Sequence, residues 1–359
     1  MNILHLSRTM GQGGAEKVIY QLCSGTEDIF ENIIIMSCGG AYVKKLNNSK
    51  IKHYQIPDMD KKNPIIMGIT LLKILYIIKK ENIDIVHSHH RMASLYSRMI
   101  GIVLPKVKQV YTAHNIFYDK KKLTAFSLKK SQIIAVGSDV KTNLIDVFNV
   151  NSKSIHTIYN SISLPDIFGE GNRELAEFKE QGYQLIGNIG RISEQKGMEY
   201  FVQAIRNVKK EFPKVKGIVV GDGEDRKVLE ALILSLGIEK DLILLGYQDN
   251  ILEIIKQLDL VVLSSLWEGF PLTPIETFSV GKTIIATDIN GTNEIVEHGY
   301  NGLLVPVKDI NKLSDAITKL CIDNKYKAFL ERNAKNTYNE NFSYEKFLRD
   351  YKKMYSLLH

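Results

Sequence analysis

Short runs of β-branched and aliphatic residues recur along this chain, each followed by a turn and then by a stretch in which apolar residues return every three or four positions. Strand-length apolar runs alternating with amphipathic helices predict βαβ units and parallel sheets covered on both faces. In the first half, strands are predicted at Asn2–Ser7, Ile33–Ser37, Ile83–Ser88, Val107–Ala113, Ser131–Val136 and Ser154–Tyr159, with helices at Gly14–Ser24, Pro64–Lys80, Met92–Ile100 and Asp139–Phe148. The alternation then restarts, with strands predicted at Leu185–Ile189, Gly217–Val220, Leu242–Leu245, Leu260–Leu263, Thr283–Ala286 and Gly302–Val305. Helices are predicted near Gly197–Lys210, Glu224–Leu236, Asn250–Gln257, Pro274–Val280 and Ile310–Cys321. Ser161–Arg173 holds Pro165, Gly169 and Gly171 without apolar periodicity and reads as a linker. The expected architecture is α/β, with two Rossmann-like doubly wound domains over 1–165 and 166–339. A terminal helix within 340–359 could pack back on the first domain.

Composition agrees. The 359 residues are 44% hydrophobic and 24% charged, with 25 Gly and 8 Pro, which excludes disordered, collagen-like and low-complexity classes. Cys23, Cys38 and Cys321 form no CxxC pair and are odd in number, so neither a zinc ribbon nor a disulfide framework is expected. Met1–Ser7 lacks the basic start and the length of an export signal. The longest apolar window, Ile65–Ile78, is interrupted by Gly68, Thr70 and Lys73 and falls short of the ~20 residues that span a bilayer. A cytoplasmic location follows as the expectation. Charge is uneven: residues 1–165 carry 22 Lys and Arg against 11 Asp and Glu, whereas 166–359 carry 25 against 29, which predicts different partners for the two halves.

Several motifs are excluded by single positions. Gly11-Gln12-Gly13 continues to Glu16, and Gly221-Asp222-Gly223 to Arg226, where a dinucleotide fingerprint needs a third glycine. Glu276 stands where a P-loop ending in Gly281-Lys282-Thr283 would need glycine, and no GxSxG occurs. Asp58-Met59-Asp60 spells a cation-binding DxD, but in a chain with 40 acidic residues such a spacing arises by chance. His87, His89, His90 and His114 have no carboxylate or cysteine spaced to complete a zinc site, so no metal is expected.

Three segments remain. Gly11–Lys17 joins the first strand to the first helix, where glycines permit close approach and helix amides face an anion. Gly190–Gly197 follows a strand and opens a helix, placing Arg191 and Lys196 where a diphosphate gains cations and backbone donors together. In Trp267–Glu276, Glu268 lies just past a strand and Glu276 about one turn into a helix, so both carboxylates can face one crevice and accept from sugar and ribose hydroxyls.

Together with GGAEK at Gly13–Lys17, DIVHSHH at Asp84–His90, TAHN at Thr112–Asn115, GDGE at Gly221–Glu224, LGY at Leu245–Tyr247 and GTNEIVEHGYNGLLV from Gly291, these segments resemble the family 4 retaining glycosyltransferases, which carry an E-x7-E motif. The resemblance implies the GT-B fold, two Rossmann-like domains facing across a cleft that is the active site. It implies that Arg191 and Lys196 hold the donor diphosphate, that Glu276 takes the ribose hydroxyls and that Glu268 takes donor-sugar hydroxyls. It further implies that amides over Gly269, Phe270, Pro271, Leu272 and Thr273 cradle phosphate, that Gly13 and Gly14 close over the diphosphate, and that Tyr247 and Gln248 border the base. His114 is then the histidine beside the donor sugar, with a part in catalysis.

The expected activity is transfer of a sugar, with retention and without a metal or other cofactor, from a nucleotide sugar such as a UDP- or GDP-sugar to a saccharide acceptor. The acceptor is expected to be lipid-linked, in cell-surface polysaccharide or glycolipid synthesis. The apolar Ile65–Ile78 between Lys61-Lys62 and Lys79-Lys80, with Lys120–Lys122 beyond, adds an anionic membrane surface as a partner and a peripheral location at its inner face. Two alternatives stay open. A nucleotide-sugar epimerase of the same fold would need no acceptor; a nucleic-acid-binding protein would suit the basic pI of about 9.0, although no groove-reading motif is present.

Overall fold

The computed structural model describes residues 1–46, 50–61 and 63–358. The chain divides into two units, one formed by Met1–Ser163 with Tyr344–His359 and the other by Leu164–Ser343.

The first unit is built on strands β1 (Asn2–Leu6), β2 (Asn32–Ser37), β3 (Lys52–Gln55), β4 (Ile85–Ser88), β5 (Lys108–Ala113), β6 (Gln132–Ala135) and β7 (Ile155–Thr157). They form one parallel sheet in the order β3-β2-β1-β4-β5-β6-β7. Helices cover both faces, so Ile3, Leu4, Ile34, Ile35, Ile133 and Ile134 are buried whichever way they point, which is why these strands read as unbroken apolar runs. β3 escapes such a reading because Lys52-His53-Tyr54-Gln55 is an edge strand without an apolar run.

The helix Tyr344–Ser356 belongs to this first unit. Tyr351 and Tyr355 are buried in it, and the Tyr344 hydroxyl donates to the Gln21 carbonyl at 2.7 Å. Gly25, at the end of the helix Gly14–Gly25, makes the approach possible: a Cβ there would lie 2.4 Å from a Leu348 methyl.

The second unit repeats the plan with β8 (Gln184–Ile189), β9 (Val215–Val220), β10 (Leu242–Gly246), β11 (Leu260–Leu263), β12 (Ile284–Thr287) and β13 (Gly302–Val305). The order is β10-β9-β8-β11-β12-β13, again parallel. A core of Phe201, Val202, Ile205, Val219, Val262 and Ile317 lies on one face. The helices Arg173–Glu180 and Asn324–Thr337 are absent from the sequence reading; Arg173–Glu180 opens where the linker was expected to end, its start capped by Asn172, which accepts from the Leu175 amide at 3.1 Å.

In both sheets the strand order reverses beside the first strand of the unit, between β1 and β4 and between β8 and β11. Loops leaving the carboxyl ends at such a point diverge and leave a crevice for a ligand.

Candidate functional site

In the second unit the loop after β8 and the loop after β11 leave from that reversal point, and side chains stitch them together. Asn188 Nδ2 donates to Ser264 Oγ at 2.8 Å, Ser264 Oγ donates to the Lys196 carbonyl at 3.1 Å, and the Leu266 amide donates to the Gln195 carbonyl at 2.8 Å. The two loops therefore present their side chains as one rigid surface.

On it, Lys196 Nζ donates to Glu268 Oε1 at 2.5 Å, and Ser265 Oγ donates to the same oxygen at 2.6 Å. Gln195 Nε2 donates to the Trp267 carbonyl at 3.0 Å and to Glu268 Oε2 at 3.4 Å. The pair is well covered, with side-chain exposures of 16% for Lys196 and 7% for Glu268. Lys196 and Glu268, predicted separately from sequence, are thus brought into direct contact. Ser265 and Gln195 are residues the sequence reading passed over; Gln195 stood within a quoted motif, while Ser265 lies next to a strand end with no spacing to flag it.

Arg191 is exposed in the same loop, and Glu276 is buried on the helix Leu272–Ser279. That helix begins after Pro271 with no side-chain cap, so its first-turn amides, Leu272 and Thr273 among them, are left to other partners. Gly291, at φ +79°, lies against the Gly269–Phe270 turn so closely that a Cβ would fall 2.2 Å from the Gly269 carbonyl oxygen; glycine there lets the Gly291–Glu294 loop back the turn that follows Glu268. After β10, Tyr247 is 39% exposed and Gln248 Nε2 donates to the Leu245 carbonyl at 2.9 Å.

In the first unit, Gly13 is the N-cap of Gly14–Gly25 and offers no side-chain cap to its amides. Next to the reversal point four histidines cluster. His5 on β1 and His87 on β4 are register partners, while His89 and His114 stand just past β4 and β5. His5 is the member the sequence reading missed, a lone polar residue in an apolar strand.

His87 Nδ1 pairs with the Tyr355 hydroxyl and Nε2 with the Thr112 hydroxyl, each at 2.7 Å. His5 Nδ1 pairs with His89 Nε2 at 2.9 Å, and His89 Nδ1 with His114 Nε2 at 3.3 Å. Burial holds His5 down to about 3 and, with a smaller effect of His90, His114 down to about 4; burial likewise keeps His87 and His89 far below the ordinary range. His5, His87 and His89 bring nitrogens within 4.8 Å of one another, but His87 spends both nitrogens on Tyr355 and Thr112, His89 spends both on His5 and His114, and the His87 and His89 ring centroids lie 4.1 Å apart at a 33° tilt. That donor set does not converge on an ion.

Asp58 and Asp60 both pair with the Arg8 guanidinium: Arg8 Nε lies 3.0 Å from Asp58 Oδ1 and Nη1 lies 2.8 Å from Asp60 Oδ2. The Arg8 hydrogen bond holds the Asp58 carboxyl below its usual range. Nearby, a cavity of about 350 Å3 is lined by His90, Arg91, Leu95, Phe117 and Lys120, with the Arg91 guanidinium 3.8 Å above the Phe117 ring.

Comparison with known proteins agrees along the whole chain. The chain is 27% identical over 347 residues to the Escherichia coli UDP-Gal:alpha-D-GlcNAc-diphosphoundecaprenol alpha-1,3-galactosyltransferase, covering 91% of this chain and 89% of that protein. It is 26% identical over 370 residues to the Campylobacter jejuni N-acetylgalactosamine-N,N'-diacetylbacillosaminyl-diphospho-undecaprenol 4-alpha-N-acetylgalactosaminyltransferase, covering 95% and 96%. The fold superposes on the crystal structure of Anabaena HepE in complex with UDP-glucose with a TM-score of 0.85 at 21% identity, covering 99% of this chain and 100% of that one. Residues 12–164 match the family model described as Glycosyltransferase Family 4 and residues 173–337 the one described as Glycosyl transferases group 1. With both halves matched in order on two Rossmann-like units, the chain belongs to the family 4 glycosyltransferases of the GT-B fold.

Proposed function

We propose that this glycosyltransferase takes its donor, a nucleoside-diphosphate sugar, on the loops after β8 and β11, and transfers the sugar with retention and without a metal ion to a lipid-linked saccharide. The observation that carries this is the Lys196–Glu268 pair at the reversal point: a cation for the departing diphosphate and an acceptor for sugar hydroxyls, held together by Ser265 and Gln195. When the glycosidic bond breaks, negative charge develops on the nucleoside diphosphate. Lys196, Arg191 and the uncapped amides of Leu272–Ser279 supply the positive potential that a divalent ion provides elsewhere. Glu276, buried on that helix, suits the ribose hydroxyls, and Tyr247 with Gln248 suits the base. His114, in the first unit, takes the donor-sugar role that the family resemblance implies.

Arg8 supports metal independence, because its guanidinium is already paired with both DxD carboxylates. On the acceptor side, the cavity at Arg91 and Phe117 joins a cation to an apolar wall, which fits the junction between a diphosphate and a lipid. The decisive experiment incubates the full chain with UDP-galactose or UDP-glucose and an undecaprenyl-diphosphate saccharide in EDTA, and reads the anomeric proton of the first-formed product by NMR. An α product from these α-linked donors is expected. A β product rejects retention, and turnover that returns only with Mg2+ or Mn2+ rejects metal independence.

Membrane attachment rests on the helix Pro64–Lys80. Its Thr70, Ile74, Ile77 and Ile78 pack inward, while Ile65, Ile69, Leu72 and Tyr76, one face at helical spacing, are 55–72% exposed beside Lys73, Lys79 and Lys80. Lys62 lies outside the described residues. No helix among the described residues is long and apolar enough to cross a membrane, so the helix is read as lying on an anionic leaflet, apolar face down.

A further inference from the structure

Two helices of the first unit, Arg91–Val103 after β4 and Lys121–Leu128 after β5, leave neighbouring parallel strands, so they start at the same edge of the sheet and run the same way. The cavity at Arg91 and Phe117 is lined from both. Each helix brings its charge first and its apolar side chains later. Arg91 and Lys120 stand at the two starts, Leu95 and Leu123 about one turn on, and Ile102 and Phe126 further along. The Arg98 guanidinium lies 5.5 Å from the centre of the Phe126 ring, so Phe126 faces the first helix, and Ile102 follows one turn past Arg98 on the same side. Leu123, Phe126 and Ile102 are 45–58% exposed. The result is a furrow, cationic at the sheet edge and apolar along its length.

Its cationic end is held in place. The Arg91 side chain is only 20% exposed and lies 3.8 Å above Phe117, whose backbone is clamped by Asn143: the Asn143 side chain accepts from the Phe117 amide at 3.2 Å and donates to its carbonyl at 3.0 Å. Arg91 Nη1 donates to one Asp119 carboxylate oxygen at 2.6 Å, and Lys120 Nζ lies 3.9 Å from the other, so two cations converge on one anionic position. Both hydrogen bonds of the Arg91 guanidinium leave from Nη1, which keeps Nε and Nη2 for a two-oxygen acceptor such as a phosphate. Ser94 Oγ donates to Ser127 Oγ at 2.9 Å and ties the two helices together.

We propose that this furrow binds the carrier of the acceptor itself: Arg91 and Lys120 take its diphosphate, and Leu95, Leu123 and Phe126 take the start of its apolar tail, which leaves the bilayer to lie on the protein. The inference rests on the lipid-linked acceptor proposed above, and its test uses neither sugar transfer nor vesicles.

Calorimetry on the full chain, with saturating UDP to occupy the donor site, compares pyrophosphate with dimethylallyl, geranyl and farnesyl diphosphate. Affinity is expected to rise about three- to tenfold with each isoprene unit, as apolar surface is covered. Leu123→Ser and Phe126→Ser, at exposed positions outside the core, are expected to flatten that rise and leave pyrophosphate unchanged. Arg91→Ala is expected to weaken every diphosphate about tenfold or more and keep the rise. Leu72→Ser, on the helix Pro64–Lys80, is expected to alter neither. No rise in the parent, a rise that survives Leu123→Ser combined with Phe126→Ser, or a rise lost in Leu72→Ser overturns the tail site, and undiminished pyrophosphate binding in Arg91→Ala overturns the diphosphate site. An inverted product or a metal requirement in the transfer assay would leave each of these outcomes standing.

Discussion

Replacing Glu268 by glutamine separates the two halves of the donor more sharply than any other single change. In the ligand-free chain Glu268 Oε1 receives both Lys196 at 2.5 Å and Ser265 at 2.6 Å, so a nucleoside diphosphate must compete with a carboxylate for its cation. The amide keeps an oxygen for Ser265 but no longer offsets the Lys196 charge. A hydrogen bond to a charged group contributes about 1.5–3 kcal/mol, one to two orders of magnitude in affinity. UDP should therefore bind at least as tightly as to the parent, up to about tenfold tighter at low salt, since screening trims the gain at a side chain that is partly exposed. UDP-glucose gains the same freed lysine but loses a carboxylate acceptor for a sugar hydroxyl, a loss of similar size. The ratio of the two dissociation constants should shift by about ten- to a hundredfold against the sugar nucleotide. Isothermal calorimetry with UDP and UDP-glucose on both proteins measures it. A ratio unchanged within threefold, or weaker UDP binding in the variant, would refute the division of labour between Lys196 and Glu268.

Lys196→Ala and Arg191→Ala should each lower donor turnover by about two orders of magnitude while the far-ultraviolet spectrum stays that of the parent, because each removes a charge-assisted contact to the leaving group; rates within threefold of the parent would remove both from the diphosphate. The first unit should lose stability in mild acid. His5 and His114 titrate near 3 and 4 when folded and near 6.5 when unfolded, so their contribution is full above pH 6.5 and fades as pH falls toward 4. At pH 5 each accounts for about 2 kcal/mol, and carboxylates such as Asp58 act only at lower pH; denaturant titrations should show at least two protons taken up on unfolding near pH 5, and a flat profile from pH 7 to 5 would contradict the buried cluster. Liposome sedimentation should show binding to anionic but not neutral vesicles, lost in high salt and in Leu72→Asp; no binding at low salt would reject the membrane face of Pro64–Lys80 and leave the catalytic reading intact.

The sheets were legible wherever both faces of a strand are buried, since covering helices force every position to be apolar, as in Ile33–Met36 and Leu260–Leu263. β3 and the helix Asn324–Thr337 were not, because an edge strand and a polar helix bury too little to leave a pattern. At the site, residue types and spacing pointed to Arg191, Lys196, Glu268 and Glu276. Their arrangement was another matter. Nothing in the spacing says that Lys196 and Glu268 grip one another, because that contact depends on how two loops separated by three strands leave adjacent positions in one sheet. His5 was invisible for the same reason: its partners His87 and His89 are supplied by β4 and the residue beyond it, through a register that only the sheet sets.

The helix Tyr344–Ser356 has a consequence for how this protein is made. Tyr355 completes a hydrogen bond to His87 across 268 positions of sequence, and Tyr351 adds one to Thr112. The first unit is thus a discontinuous domain, interrupted by an insertion that is itself a whole domain. On the ribosome its seven strands emerge early but must wait while 164–343 is synthesised, roughly 10 to 40 s at ordinary elongation rates, before the helix that closes its core exists. During that interval the His87 and Thr112 polar groups and the surface that Phe30 later shares with Tyr355 stand open. A fragment ending at Ser343 would hold that vulnerable state indefinitely, so the second unit can be excised as a continuous piece while the first can be made alone only by a linker that rejoins Ser163 to Tyr344.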